Sequence, residues 1–140
     1  MAFLSADSAE IYYETYGETG DWITFANGFT RSSSDFFTIA KQLSQSGFRI
    51  LLFDNRGSGQ TKSYLDFTLE EMVRDIKDLW GHLEIKTSHL LGISMGGMIS
   101  LLLSSKFPEK IDKLCLVSIW QSKKAGKSQR VMNSAYIFRE

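Results

Sequence analysis

Cysteine, proline and histidine are scarce in this chain of 140 residues, which has one Cys, one Pro and two His. The single thiol, Cys115, excludes an internal disulfide framework and any cysteine-based structural zinc site, so a reducing compartment and a cytoplasmic location are expected. Neither charge dominates, because sixteen Lys and Arg balance sixteen Asp and Glu. There is no overall basic field to favour nucleic acid or an anionic membrane surface, and a small neutral molecule fits better as a partner. No apolar run approaches the ~18 residues that a membrane span requires, and Met1–Asp7 carries neither a basic leader nor a long apolar core. Neither export nor a membrane span is expected. Nothing in the pattern calls for a metal or a cofactor, and oligomeric state is left open.

With 43% apolar and 13% aromatic residues, the chain has enough core material for one globular domain. Strand and helix patterns alternate without internal repeats, which indicates an α/β fold with a mostly parallel central sheet and flanking helices. Residues Ala2–Ala6 and Ala9–Tyr16 are read as an antiparallel hairpin at the sheet edge, with Ile11 and Tyr13 on one face and Tyr12 on the other. Trp22–Ala26 and Phe48–Asp54 are short, nearly continuous apolar runs, as expected of central strands covered on both faces. Between them, Ser34 or Asp35 is positioned to cap a helix that ends at Gly47. Thr68 and Glu71 form a capping box ahead of Leu69, Met72, Val73, Ile76, Leu79, Trp80 and Leu83, an apolar stripe at spacings of three and four. A strand over Ser88–Ile93, a helix over Met95–Phe107 halted by Pro108, and a strand over Lys113–Ile119 complete the pattern. Residues 1–120 thus form the core, and 121–140 a basic tail with five Lys or Arg against one acid, read as the start of a cap or linker region.

Gly92-Ile93-Ser94-Met95-Gly96 stands between an apolar strand and a helix, the setting in which G-x-S-x-G exposes a nucleophilic serine on a strained turn. Gly92 and Gly96 would supply steric clearance, and the helix N-terminus would offer the Met95 N–H to a developing oxyanion. The alternative is a plain glycine-rich turn whose serine caps the helix. Phe25-Ala26-Asn27-Gly28-Phe29 is a second glycine-bearing run at the end of a strand. A phosphate loop at Gly57–Ser63 is disfavoured, because Thr61 stands where a glycine must precede the lysine.

Together these segments resemble the α/β-hydrolase superfamily, in the family's order over about Phe3–Trp120. Asn27 takes the place of the histidine usual in the His-Gly-x segment. Asp54-Asn55-Arg56-Gly57-Ser58-Gly59 resembles the family's loop after the next strand, where Asp54 and Arg56 are expected to bind loop backbone without a chemical role. The resemblance implies a serine hydrolase acting on a small ester, lactone or thioester, with Ser94 as nucleophile and the Phe29 and Met95 N–H groups as oxyanion hole.

That family places its acid and histidine after the serine, yet no histidine follows Ser94 in this chain. His89 lies five residues back on the same strand, about 16 Å away at roughly 3.3 Å per residue. His82 falls at the sheet end opposite the strand C-termini. Of the later acids, Glu109 and Asp112 enter a strand rather than leave one, and Glu140 is terminal. The expectation is therefore a fold truncated after about the sixth strand. The competing reading is an inactive fragment or interaction module, whose strand Lys113–Ile119 would present a bare edge.

Overall fold

The computed structural model describes residues 2–64, 66–118 and 136–138. Its eight strands are β1 (Ala2–Ala6), β2 (Ala9–Tyr16), β3 (Trp22–Ala26), β4 (Arg49–Phe53), β5 (Lys62–Ser63), β6 (Ser88–Ile93), β7 (Ile111–Val117) and β8 (Tyr136–Phe138). The helices are α1 (Phe37–Gln45), α2 (Leu69–His82) and α3 (Met95–Lys106). The sheet runs in the order β1-β2-β4-β3-β6-β7-β8, with β5 joined to β2. Its centre, β4-β3-β6-β7, is parallel, whereas β1, β2, β5 and β8 pair antiparallel at the flanks. The expected hairpin forms, with Ala6 opposite Ala9. Both apolar runs become interior strands, as short buried segments of β-branched and aromatic residues should.

Side-chain alternation divides the core in two, because successive strand residues face opposite sides of the sheet. Phe25, Ile50 and Leu52 pack with Ala40 of α1 on one side. Ala26, Leu51, Phe53 and Leu90 face the other, where Met72, Val73, Ile76, Leu79 and Trp80 of α2 meet Ile99 and Leu103 of α3. Trp80 is anchored by its indole N–H, which donates to Thr24 Oγ at 2.9 Å. A second buried contact links Thr24 Oγ to Ser88 Oγ at 2.9 Å.

Helix ends follow local chemistry. The Glu71 N–H donates to Thr68 Oγ and the Thr68 N–H donates to the Glu71 carboxylate, the complete capping box. Gly47 takes the left-handed conformation (φ +88°) expected past a helix end. The start of α1 differs from the reading above. A 3₁₀ turn over Ser33–Phe36 leads into the helix, so Ser34 and Asp35 lie inside the helical segment and neither caps it. Asp35 pairs instead with Arg31.

The last strands also differ from expectation. β7 begins at Ile111, paired with Ser88, and ends at Val117. The exposed pair Asp112 and Lys113 masks its start in the sequence, and Ser118 leaves the strand with φ +51°. Ile119 lies outside the described residues. The bare edge expected on this strand is covered along Leu114–Leu116 by Tyr136–Phe138. That short β-forming segment lies within the stretch read as a basic tail, and its pairing satisfies the edge backbone. Residues 121–135, the bulk of that tail, lie outside the described residues.

Candidate active site

Ser94 leaves the C-terminal end of β6 with φ +53° and ψ −117° and begins α3 as its N-cap. A non-glycine residue rarely occupies positive φ, and such strain persists only where the surroundings enforce it. Here the enforcement is backbone on both sides. The Ser94 N–H donates to the Val117 carbonyl at 3.0 Å, and its carbonyl accepts from the Gly97 N–H at 2.9 Å. The hydroxyl takes no part in capping the helix, so the reading of Ser94 as a simple cap does not hold. Its side chain is exposed and makes no hydrogen bond among the described residues.

The two elbow glycines are steric necessities. A Cβ on Gly96 would stand 1.9 Å from the Ala26 carbonyl oxygen, and one on Gly92 would stand 2.4 Å from Ser100 Oγ and 2.5 Å from the Gly96 carbonyl oxygen. Such distances let α3 approach the ends of β3 and β6 with no side chain between them. The buried Ser100 hydroxyl donates back to the Gly96 carbonyl at 2.7 Å, fixing the first turn of the helix.

The loop after β3 meets the elbow directly. The position of a Cβ on Gly28 lies 3.5 Å from Ser94 Cβ and 3.5 Å from the Ile93 carbonyl. Beyond Gly28 the chain turns sharply, with Thr30 at φ +60° and the Arg31 N–H donating to the Gly28 carbonyl at 3.3 Å. Phe29 sits in this turn with its ring exposed. Its N–H enters no ladder bond, and neither it nor the Met95 N–H has a protein acceptor among the described residues.

Asp54 ties this loop to the next. Its carboxylate accepts from the Ser33 N–H at 2.6 Å and the Gln60 N–H at 2.8 Å, and its carbonyl accepts from Thr61 Oγ at 2.6 Å. Gly59 makes room, since a Cβ there would stand 2.0 Å from Asp54 Oδ2. Arg56 does more than the loop bonding expected of it. Its guanidinium forks onto the buried Asp75 at 2.7 and 2.8 Å and reaches the Asp7 carbonyl and Ser8 Oγ, joining α2 to the β1–β2 turn. Asp75 was not legible as a partner, because an acid in a helix with several exposed acids reads as surface. Asn55 donates to the Asn27 carbonyl at 2.9 Å, while the side-chain Nδ2 of Asn27 is buried without a protein partner. Asn27 therefore occupies its position through backbone contacts, not through a side-chain bond to the loop.

The histidines stand apart from Ser94. His82 Nε2 lies 3.0 Å from the Tyr13 hydroxyl. His89, near the start of β6, faces Phe48 edge-on with Nε2 3.9 Å from Asp21. Among the described residues no group of three or more His, Cys, Asp or Glu is arranged to hold a metal ion. Among the described residues, no helix is long and apolar enough to cross a membrane.

Comparison with known proteins places this geometry in context. A family model described as alpha/beta hydrolase fold matches residues 21–136. A proline iminopeptidase of Lactobacillus helveticus is 32% identical over 121 residues, covering 81% of this chain and 41% of that protein. An sn-1-specific diacylglycerol lipase, ABHD11, of Danio rerio is 30% identical over 118 residues, covering 82% of this chain and 37% of that protein. The crystal structure of the enol-lactonase from Burkholderia xenovorans LB400 superposes with a TM-score of 0.79 at 26% identity, covering 84% of this chain and 46% of that one. The chain thus spans less than half the length of these relatives.

Proposed function

Because the chain belongs to the α/β-hydrolase family, we propose that it carries the nucleophile and oxyanion loops of a serine hydrolase that acts by acyl transfer on a small ester, lactone or thioester. The observation that carries this reading is the exposed Ser94 hydroxyl, held at positive φ on a strand-to-helix turn and committed to no structural bond. In the proposed reaction Ser94 Oγ attacks the acyl carbonyl, and the Phe29 and Met95 N–H groups stabilise the oxyanion. Collapse of the tetrahedral adduct expels the alcohol or thiol, and water then releases the acid from the acyl-serine. The close approach of Gly28 to Ser94 and the lack of an acceptor for either N–H among the described residues support this assignment.

The attacking hydroxyl must lose its proton, and no histidine in this chain stands to take it. Our reading is that the oxyanion loops alone sustain a slow reaction, since removal of triad members leaves only modest catalysis. The test is acylation by p-nitrophenyl acetate followed against pH, with the acetyl group mapped by mass spectrometry. We expect slow p-nitrophenol release, acetylation of Ser94 ahead of every other serine, and loss of both in Ser94→Ala. A rate that ignores Ser94→Ala would overturn the nucleophile assignment. A fast, Ser94-dependent rate with an inflection near the ordinary His pKa of ~6.5 would overturn the incomplete-triad reading. The interaction-module alternative relied on an open β7 edge, and that support is lost along Leu114–Leu116.

A further inference from the structure

Arg31 is brought to the nucleophile by the same turn that presents Phe29. The position of a Cβ on Gly28 lies 3.6 Å from Arg31 Cγ and 3.5 Å from Ser94 Cβ, so the arginine stem and the serine flank one glycine. Thr30 at φ +60° and the Arg31 N–H bond to the Gly28 carbonyl fold the chain back to achieve this. The guanidinium spends only one of its donors on protein: Nε binds Asp35 Oδ2 at 2.8 Å. Its two terminal nitrogens bond no partner among the described residues, and the side chain remains 64% exposed. Asp35 orients the fork by holding its Nε edge, which leaves the terminal N–H groups open to a planar anion. An arginine pinned in this way has less rotamer freedom to lose when it meets a ligand.

We infer that Arg31 is a specificity-determining residue that recognises a carboxylate on the acyl portion of the substrate, so that the site favours half-esters and lactones bearing an anionic acyl group. This rests on the reading of Ser94 as the acylated residue. A guanidinium extending from a stem beside Gly28 suits an anion a few bonds from the carbonyl under attack. Phe29, exposed on the same turn, offers an apolar surface to the methylene segment between them.

The test is a ligand titration of the chain followed by backbone amide shifts, using monomethyl glutarate and methyl pentanoate, which share an acyl length and differ in the terminal carboxylate. We expect the half-ester to bind about three- to tenfold more tightly, the range spanned by an exposed and a partly desolvated charge-assisted bond. Shifts should concentrate in Gly28–Ser34 and Met95–Gly97, and raised salt should shrink the preference. Arg31→Gln should bring the two ligands to within about twofold of each other, and Arg31→Lys should keep part of the difference, as a charge without the fork would. Equal binding, a preference that survives Arg31→Gln, shifts that map elsewhere, or no saturable binding would each overturn the inference. Ser94→Ala separates it from the function proposed above, because the preference should persist in that variant. If Ser94 is never acetylated while the Arg31-dependent preference holds, the nucleophile assignment falls and the anion subsite stands.

Discussion

Glycine and serine at the elbow illustrate how little freedom single residues have around the site. Gly96→Ala would press a methyl group against the Ala26 carbonyl at 1.9 Å, and neither β3 nor α3 can retreat without giving up buried contacts. We expect a loss of roughly 2–4 kcal/mol, in the range of core overpacking plus strain, read as a lower urea midpoint. Gly59→Ala should act on the site itself, because the added carbon meets the Asp54 carboxylate that holds the loops at Ser33 and Gln60. Its effect should appear as altered amide shifts over Ser33–Phe36. The elbow was legible in the sequence because a serine between spaced glycines, after a strand and before a helix, has few other uses. Asn55 and Asp75 were not, because nothing local shows that a polar side chain will be buried by a loop or helix distant in sequence.

At the scale of elements, α2 is the most self-sufficient piece. Thr68→Ala should cost about 1 kcal/mol, the usual value of an N-cap hydroxyl, measured by chemical denaturation at neutral pH. The Glu71 carboxyl is held below its ordinary value of 4.5, chiefly by the Thr68 backbone N–H. A lowered folded pKa means that its contribution is complete above that ordinary value and is lost as pH falls through the folded one. Glu71→Gln should therefore lower stability at neutral pH and flatten the loss seen on acidification below about 4.5. Denaturation midpoints of the two proteins that fall in parallel would contradict this. The start of α1 was harder to read, since Ser32, Ser33, Ser34 and Asp35 are all good cap residues and only the pairing of Asp35 with Arg31 separates them.

Across the whole molecule, a buried polar link joins elements distant in sequence. The Arg56–Asp75 fork ties α2 to the β1–β2 turn, and breaking it strands a buried charge. Arg56→Met should cost roughly 3–5 kcal/mol. Burial already pushes the Asp75 carboxyl up, opposed by Arg56, so without Arg56 the folded pKa rises further and acidification should restore part of the lost stability. Urea midpoints of this variant at successively lower pH check the direction. Within β2, the half-buried Glu14 carboxylate accepts from the hydroxyls of Tyr12 and Tyr16. Burial, helped by Glu14, pushes both phenols up to about 12 from 10.0. A raised folded pKa gives stability that is full below the unfolded value and is lost as pH rises through the folded one. The 295 nm titration of the folded chain should show two tyrosines ionising late, and alkaline unfolding should set in between those limits. Five tyrosines titrating together in the folded state would refute the assignment.

The order of strands and helices other than β5 and β8, the capped α2, the strained serine turn and the loop bearing Phe29 were all determined by the sequence itself. Each depends on periodicity, capping chemistry or glycine spacing within about fifteen residues, and local sterics are sufficient to specify them. Contacts across the sheet were decided only by tertiary structure. The chain's order gives no sign that Arg31 shares a glycine with Ser94, or that Asp54 reaches Ser33. Nor does it show that Arg56 finds Asp75, or that Tyr136–Phe138 covers the edge at Leu114–Leu116. The physical reason is that a buried hydrogen bond or a free strand edge takes the partner that packing brings within about 3 Å, and the same packing sets the approach of Arg31 and Ser94 to Gly28, whereas distance along the chain encodes none of these approaches.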